Sequence, residues 1–236
     1  LAANQIGVLA SDASRETGSR AVGAARTVPR HPINIFYNVS TYRGEVSEYN
    51  WYYTAVADGG GGACEARPDV TRCISPLPDA TDAEAETSFH SYILPIEVRN
   101  ALSFVLSNDP RPFYVHQSNL TDQRILYPVL DGIVSGYRAV YDTATTPLVH
   151  LTMTQQAAAL TRMTAWDSAM TGVDAYVDAT GVHVNGGGSA AIPVTMPLGA
   201  VVSGMSVEPY GGEQSGWIAP GAASGVSIDL PTPSGG

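Results

Sequence analysis

The stretch RPFYVHQSNLTDQRILYPVLDGIVSGYRAVY, residues 111–141, changes its hydrophobic period part-way along. Residues 113–116 (FYVH) form a short apolar, β-prone run of the kind that a strand buried on both faces requires. Leu126, Val129, Leu130, Ile133, Tyr137, Val140 and Tyr141 then recur at helical spacing. Pro128 falls in the first turn, where its missing N–H is no loss. A strand, a polar connection and a helix in that order make a βα unit.

The same alternation extends in both directions. Upstream, residues 6–10 and 33–37 (INIFY) read as short buried strands, the second bounded by Pro32 and Asn38. Residues 45–54 read as a helix with Val46, Tyr49 and Tyr53 on one face, and 98–105 as another that stops at Asn108, Asp109 and Pro110. Downstream, 148–151 is a further strand. Thr152 or Thr154 caps a helix to about Met170, whose inner face would carry Ala159, Met163, Trp166 and Met170. Residues 1–170 therefore predict an α/β domain with parallel strands, either an open sheet or a partial, distorted (β/α) barrel. Beyond Thr171 the pattern turns to short alternating runs and Gly-rich turns, which predicts a small β-rich domain of hairpins over 171–230. The tail 231–236 (PTPSGG) is expected to be disordered.

Between the helices, residues 55–85 are rich in Gly, Pro, Asp and Ala and form a long excursion. The run 59–62 is all glycine and reads as a flexible loop. Cys64 and Cys73, the two cysteines of the chain, have spacing that suits a disulfide, and no His or further Cys stands near enough in sequence to suggest zinc. A disulfide in a chain without lysine points to an extracellular setting.

With 236 residues the chain is long enough for a substantial core, and with 14 % charged residues it is too weakly charged to be disordered by repulsion. No apolar run is long enough to span a membrane. A net charge of −10 repels nucleic acid. All twelve basic residues are arginine, which removes every chemistry that needs a lysine, including Schiff bases and P-loops. The sequence also lacks GxSxG, HExxH and a strand-linked GxGxxG. It opens LAANQIGVLASDAS, with neither the basic start nor the apolar core of a signal peptide, so a processed or excised chain is expected.

The five histidines are too far apart in sequence for two of them to share a metal from one helix turn. His116 differs from the rest in position: it ends a predicted strand of a βα unit, where ligands of parallel α/β folds sit, and imidazole suits acid–base work there. The alternative is a structural clasp to loop backbone. Gln117 and Asn119, just after it, suit sugar hydroxyls or the cap of the next helix. His150 reads as a buried, satisfied histidine, His183 as a surface residue of a hairpin, and His31 as a residue preceding a strand. In EYNWYYT, Tyr49, Asn50 and Trp51 cannot all face inward on a helix, and aromatic rings beside polar groups are what a carbohydrate groove uses, although core packing also explains many of them.

Taken together, VLASDASR (8–15), VPRHPINIFYNVST (28–41), EYNWYY (48–53), RPFYVHQSNL (111–120), ILYPVLDGIVSGYRAVYDTATTPLVHLTM (125–153) and PYGGEQSGW (209–217) resemble secreted polysaccharide deacetylase-like proteins. The resemblance is to the C-terminal half of the catalytic domain in the group related to the fungal galactosaminogalactan deacetylase. It implies a NodB-homology (β/α) barrel that removes N-acetyl groups from a hexosamine polymer. A divalent metal, expected to be zinc, polarises the amide in that reaction, an Asp activates water and a His protonates the leaving amine. The family's metal ligands lie in the N-terminal half, so the resemblance implies a missing N-terminal half as a partner and leaves the ligands and the base unassigned in this chain. His116 matches the leaving-group acid, and Asp12 and Arg30 would position substrate or the catalytic carboxylate. The rival readings are a non-catalytic glycan-binding module and a structural cell-surface protein.

Overall fold

In the computed structural model, residues 1–202, 205–218 and 226–231 are described, without the side chains of Ala2 and Val226. The elements in chain order are β1 (Val8–Asp12), β2 (Ala21–Val22), β3 (Ala25–Pro32), α1 (Tyr42–Tyr53), α2 (Ala63–Ala66), α3 (Asp82–Ser88), α4 (Leu94–Leu106), β4 (Phe113–Tyr114), α5 (Leu126–Val140), α6 (Met153–Ala169), β5 (Val173–Asp178), β6 (Gly181–Gly186), β7 (Ile192–Met196), β8 (Val207–Tyr210), β9 (Glu213–Ile218) and β10 (Val226–Ile228). The chain is thus mixed α/β.

It divides into two compact units. One comprises Leu1–Arg30, Pro110–Pro112 and Arg138–Gly236, the other His31–Asp109 and Phe113–Tyr137. The sequence had suggested a boundary near Thr171. Contacts instead group the first thirty residues with α6 and the hairpins, because Val28 and Val8 pack on Ala157, Leu160 and Met153. The buried face of α6 is accordingly Gln156, Ala157 and Leu160, not the predicted one, and Met170 is exposed. Thr152 caps this helix in a capping box with Gln155.

In the first unit β1 pairs in parallel with β3, Val8 to Arg26 through Asp12 to Arg30. Further along this unit β5, β6 and β10 form one antiparallel sheet, and β7, β9 and β8 another. Val184, Ile192, Met196 and Ile218 supply the core here. Beyond Pro231 the expected tail lies outside the described residues.

In the second unit His31 and Pro32 of β3 pair in parallel with Phe113 and Tyr114. Parallel pairing between strands is confined, among the described residues, to β1–β3 and β3–β4. Residues 148–151 form no strand, and neither do 33–37. The latter is a correction with a clear cause. Ile33, Ile35 and Val39 are buried while Tyr37 is exposed, and side chains take the place of a neighbouring strand. Glu45 accepts from Phe36 N at 3.0 Å, and Asn119 donates to the carbonyls of Phe36 and Val39 at 2.9 and 3.0 Å. Ser118 donates to that of Tyr37. A buried loop is tolerable when its backbone is satisfied this way.

The excursion packs on α1. Cys64 and Cys73 form the expected disulfide, and Asn50 Nδ2 and Oδ1 hold the carbonyl and amide of Leu77 at 2.8 and 2.7 Å. The glycine run is a close fit, not a flexible link. A Cβ on Gly60 would stand 2.1 Å from the Thr54 carbonyl oxygen, and one on Gly61 2.7 Å from the Trp51 indole.

Candidate functional site

His116 stands two residues beyond the end of β4 and opens a single 3₁₀ turn, Gln117–Leu120. Its backbone N donates to Asn119 Oδ1 at 3.1 Å. With both Nδ2 bonds of Asn119 spent on the 36–39 loop, this fully buried amide fastens the turn carrying His116 to the loop carrying Tyr37. The imidazole itself is exposed. The rings of Tyr37 and Tyr114 approach it edge-on, each with its centroid 5.9 Å away. Tyr37 is 69 % exposed. Phe36, its neighbour in the chain, continues the aromatic surface to Tyr52 at 6.2 Å.

The other predicted residues separate by role. Gln117 and Trp51 are exposed, Trp51 at 62 %, with Gly61 seated beside its ring. Tyr49, Asn50 and Asn119 depart from the expected contact with sugar. Tyr49 is core, packed near Tyr53 and Tyr92, and burial raises its phenol above the ordinary range. Asn50 is engaged with Leu77, and Asn119 is the clasp just described. Asp12 and Arg30, both in the first unit, are register partners at the ends of β1 and β3. Asp12 Oδ1 accepts from Ser14 N at 2.8 Å and Arg30 Nε donates to the Ser11 carbonyl at 3.2 Å.

Two features escaped the sequence reading. His31, expected ahead of a strand, is buried within β3, stacked on Phe104 at 3.7 Å and 3.0 Å from Asp109 Oδ2. Glu45 and Glu97 are buried in the core of the second unit. Glu97 Oε2 accepts from Asn34 Nδ2 at 3.1 Å, while Glu45 Oε1 has no hydrogen-bond partner. Loss of hydration pushes Glu45 up to about 8, with the neighbouring Glu97 and Glu48 adding to it against the Phe36 amide. The same loss pushes Glu97 up to about 7, against its bonds from Asn34. The signal was present in spacing: Glu45 shares the stripe of Tyr49 and Tyr53, and Glu97 that of Ile93 and Ala101.

A polar cavity of about 480 Å³, lined by Thr41, Arg43, Ser47, Asp79, Asp82 and Gln123, includes none of the predicted residues. No family model matches the sequence, and no curated protein matches it. A solved structure shares its fold. The crystal structure of Agd3, described as a novel carbohydrate deacetylase, is similar over 96 % of this chain with a TM-score of 0.63, at 18 % sequence identity. The match covers 34 % of that protein's chain, so the present chain spans about a third of its length.

Proposed function

We propose that this chain is part of an extracellular polysaccharide deacetylase of the type related to the fungal galactosaminogalactan enzyme, and that the surface around His116 holds the polymer. The observation that carries the reading is the exposed imidazole between Tyr37 and Tyr114, fixed from beneath by Asn119. Ring faces suit the C–H faces of sugars, and imidazole can deliver a proton. In N-deacetylation the amide C–N bond is exchanged for a C–O bond from water, and the departing nitrogen takes up a proton; His116 is its donor in this reading. Gln117 and Trp51 would contact sugar beside it. The fold likeness to a carbohydrate deacetylase supports the reading, and the parallel pairs β1–β3 and β3–β4 are the part of a partial (β/α) barrel that this chain would supply. The disulfide suits an extracellular setting, and no helix among the described residues is long and apolar enough to cross a membrane.

The reaction type calls for a divalent metal. Among the described residues no three His, Cys, Asp or Glu side chains group as a ligand set, so these residues do not fit one and no step is assigned to it here. We assign its ligands to a preceding half of the same protein. In that longer protein, His116→Ala should lower amine release from an N-acetylated hexosamine polymer at least tenfold, on the scale of a lost general acid, with the melting temperature kept. Undiminished turnover overturns the assignment. Retention on the polymer with no amine release from the parent protein would instead make this a glycan-holding module.

A further inference from the structure

We propose that Ser227 is an activated nucleophile, served by His183 and Asp178 as base and orienting carboxylate, and that it accepts acyl groups from esters. The three residues lie on one face of the antiparallel sheet β5–β6–β10. Ser227 is the register partner of His183, and His183 that of Tyr176, so the three form a row across the strands. Asp178 lies two residues beyond Tyr176 and therefore on the same face. Ser227 Oγ is 3.0 Å from His183 Nδ1, and His183 Nε2 is 2.9 Å from Asp178 Oδ1.

One tautomer satisfies both contacts: Nε2–H donates to the carboxylate, and the bare Nδ1 accepts the serine hydroxyl. The ring cannot swing freely, because Tyr176 stacks on it at 4.8 Å with an interplanar angle of 23°. Asp178 is kept ionised. It accepts from the Thr180 hydroxyl at 2.6 Å and the Thr180 amide at 2.7 Å, and these bonds with that from His183 hold it well below the usual carboxylate range. The Thr180 hydroxyl, already donating to Asp178, also lies 3.0 Å from His183 Nε2, so it braces the ring on its carboxylate side and leaves Nδ1 facing the serine. Nucleophile to base and base to orienting acid are the two links that acyl-transfer sites share across unrelated folds. The order of ring nitrogens is the reverse of that in the chymotrypsin triad, which the conjugated ring permits.

The step balances with water as the co-reactant. Ser227 Oγ bonds to the ester carbonyl carbon while its proton passes to Nδ1. The ester C–O bond breaks, and that proton leaves on the alcohol. Water then cleaves the acyl-serine with the same base and releases the acid. Ser227 and Asp178 are exposed and His183 is partly covered, which suits small acyl groups, and acceleration comes from the base rather than from an enclosed pocket.

The test is acetylation of the full chain by p-nitrophenyl acetate, followed by peptide mass spectrometry. Ser227 should acquire acetyl at least tenfold faster than Ser103 and Ser168, exposed serines whose hydroxyls donate to helix carbonyls. His183→Gln can still bridge Ser227 and Asp178 but cannot take the proton, so it should abolish the difference, and Asp178→Asn should reduce it. A rate at Ser227 no higher than at the two controls, or one unchanged in His183→Gln, overturns the proposal. Labelling Ser103 and Ser168 at parental rates in each variant establishes that the fold is intact.

Discussion

Replacing Glu45 by Gln should stabilise this protein at alkaline pH and leave it nearly unchanged in acid. Glu45 is held protonated by burial to about pH 8, against an ordinary 4.5 once the chain unfolds. Between those values the folded state keeps a proton that the unfolded state has released, so stability falls as pH rises through the window and levels off above it. At about 1.4 kcal/mol per decade of proton affinity, the loss attributable to Glu45 is about 5 kcal/mol. Glu97, raised to about 7, loses about 3 kcal/mol by the same rule. These are large against a typical domain stability of about 5–15 kcal/mol. The Gln side chain keeps an oxygen for Phe36 N and carries no charge, so at pH 4.5 the two proteins should agree to within about 1 kcal/mol. At pH 8 the variant should be the more stable by several kcal/mol, and Glu45→Gln with Glu97→Gln should remove most of the slope. Guanidinium unfolding followed by tryptophan fluorescence from pH 4.5 to 8.5 measures this, with Trp51 on the same helix as a local reporter. A parent whose stability is flat or rises from pH 5 to 8, or a variant less stable than the parent at pH 8, would refute the reasoning.

Asn119→Ala should cost about 3 kcal/mol, since it strips three bonds from a fully buried amide and leaves the carbonyls of Phe36 and Val39 and the amide of His116 without that partner; thermal melting measures the loss, and a change below about 1 kcal/mol would rule out the clasp. Gly60→Ala should destabilise by about 2 kcal/mol through its collision with Thr54. Gly18→Ala, where a Cβ meets nothing within 4 Å, serves as the control and should melt with the parent.

Periodicity revealed α1, α4 and α5, because each buries a stripe that repeats every turn, whereas α2 and most of α3 lie within the Gly- and Pro-rich excursion and α6 buries a different face from the one its spacing suggested. The positive φ of Asn108, at 57°, ends α4 near where the sequence placed the stop. The strands were less legible. β3 reads ARTVPRHP, too polar and proline-rich to announce itself, whereas INIFY has strand composition and is a loop. What decided between them was the supply of partners: Glu45 comes from the helix that follows, Ser118 and Asn119 from a turn remote in sequence, and no strand pattern reports them. The same limit explains the site. His116 was legible from its place after a strand, but Tyr37 reaches it through a loop whose path depends on Asn119. Asn50 and Asn119 looked like sugar ligands because an amide that binds backbone and one that binds hydroxyls are the same residue type.

The glycine run beside Trp51 bears on how this protein can be handled. Four consecutive glycines invite an experimenter to splice in an epitope tag, a fluorophore site or a protease cleavage sequence, on the view that such a run is slack. Here three of the four occupy gaps narrower than a methyl group, so any such graft would wedge the disulfide-bonded excursion away from its helix. The open positions at Gly7 and Gly18 are the better places for an insertion or a dye.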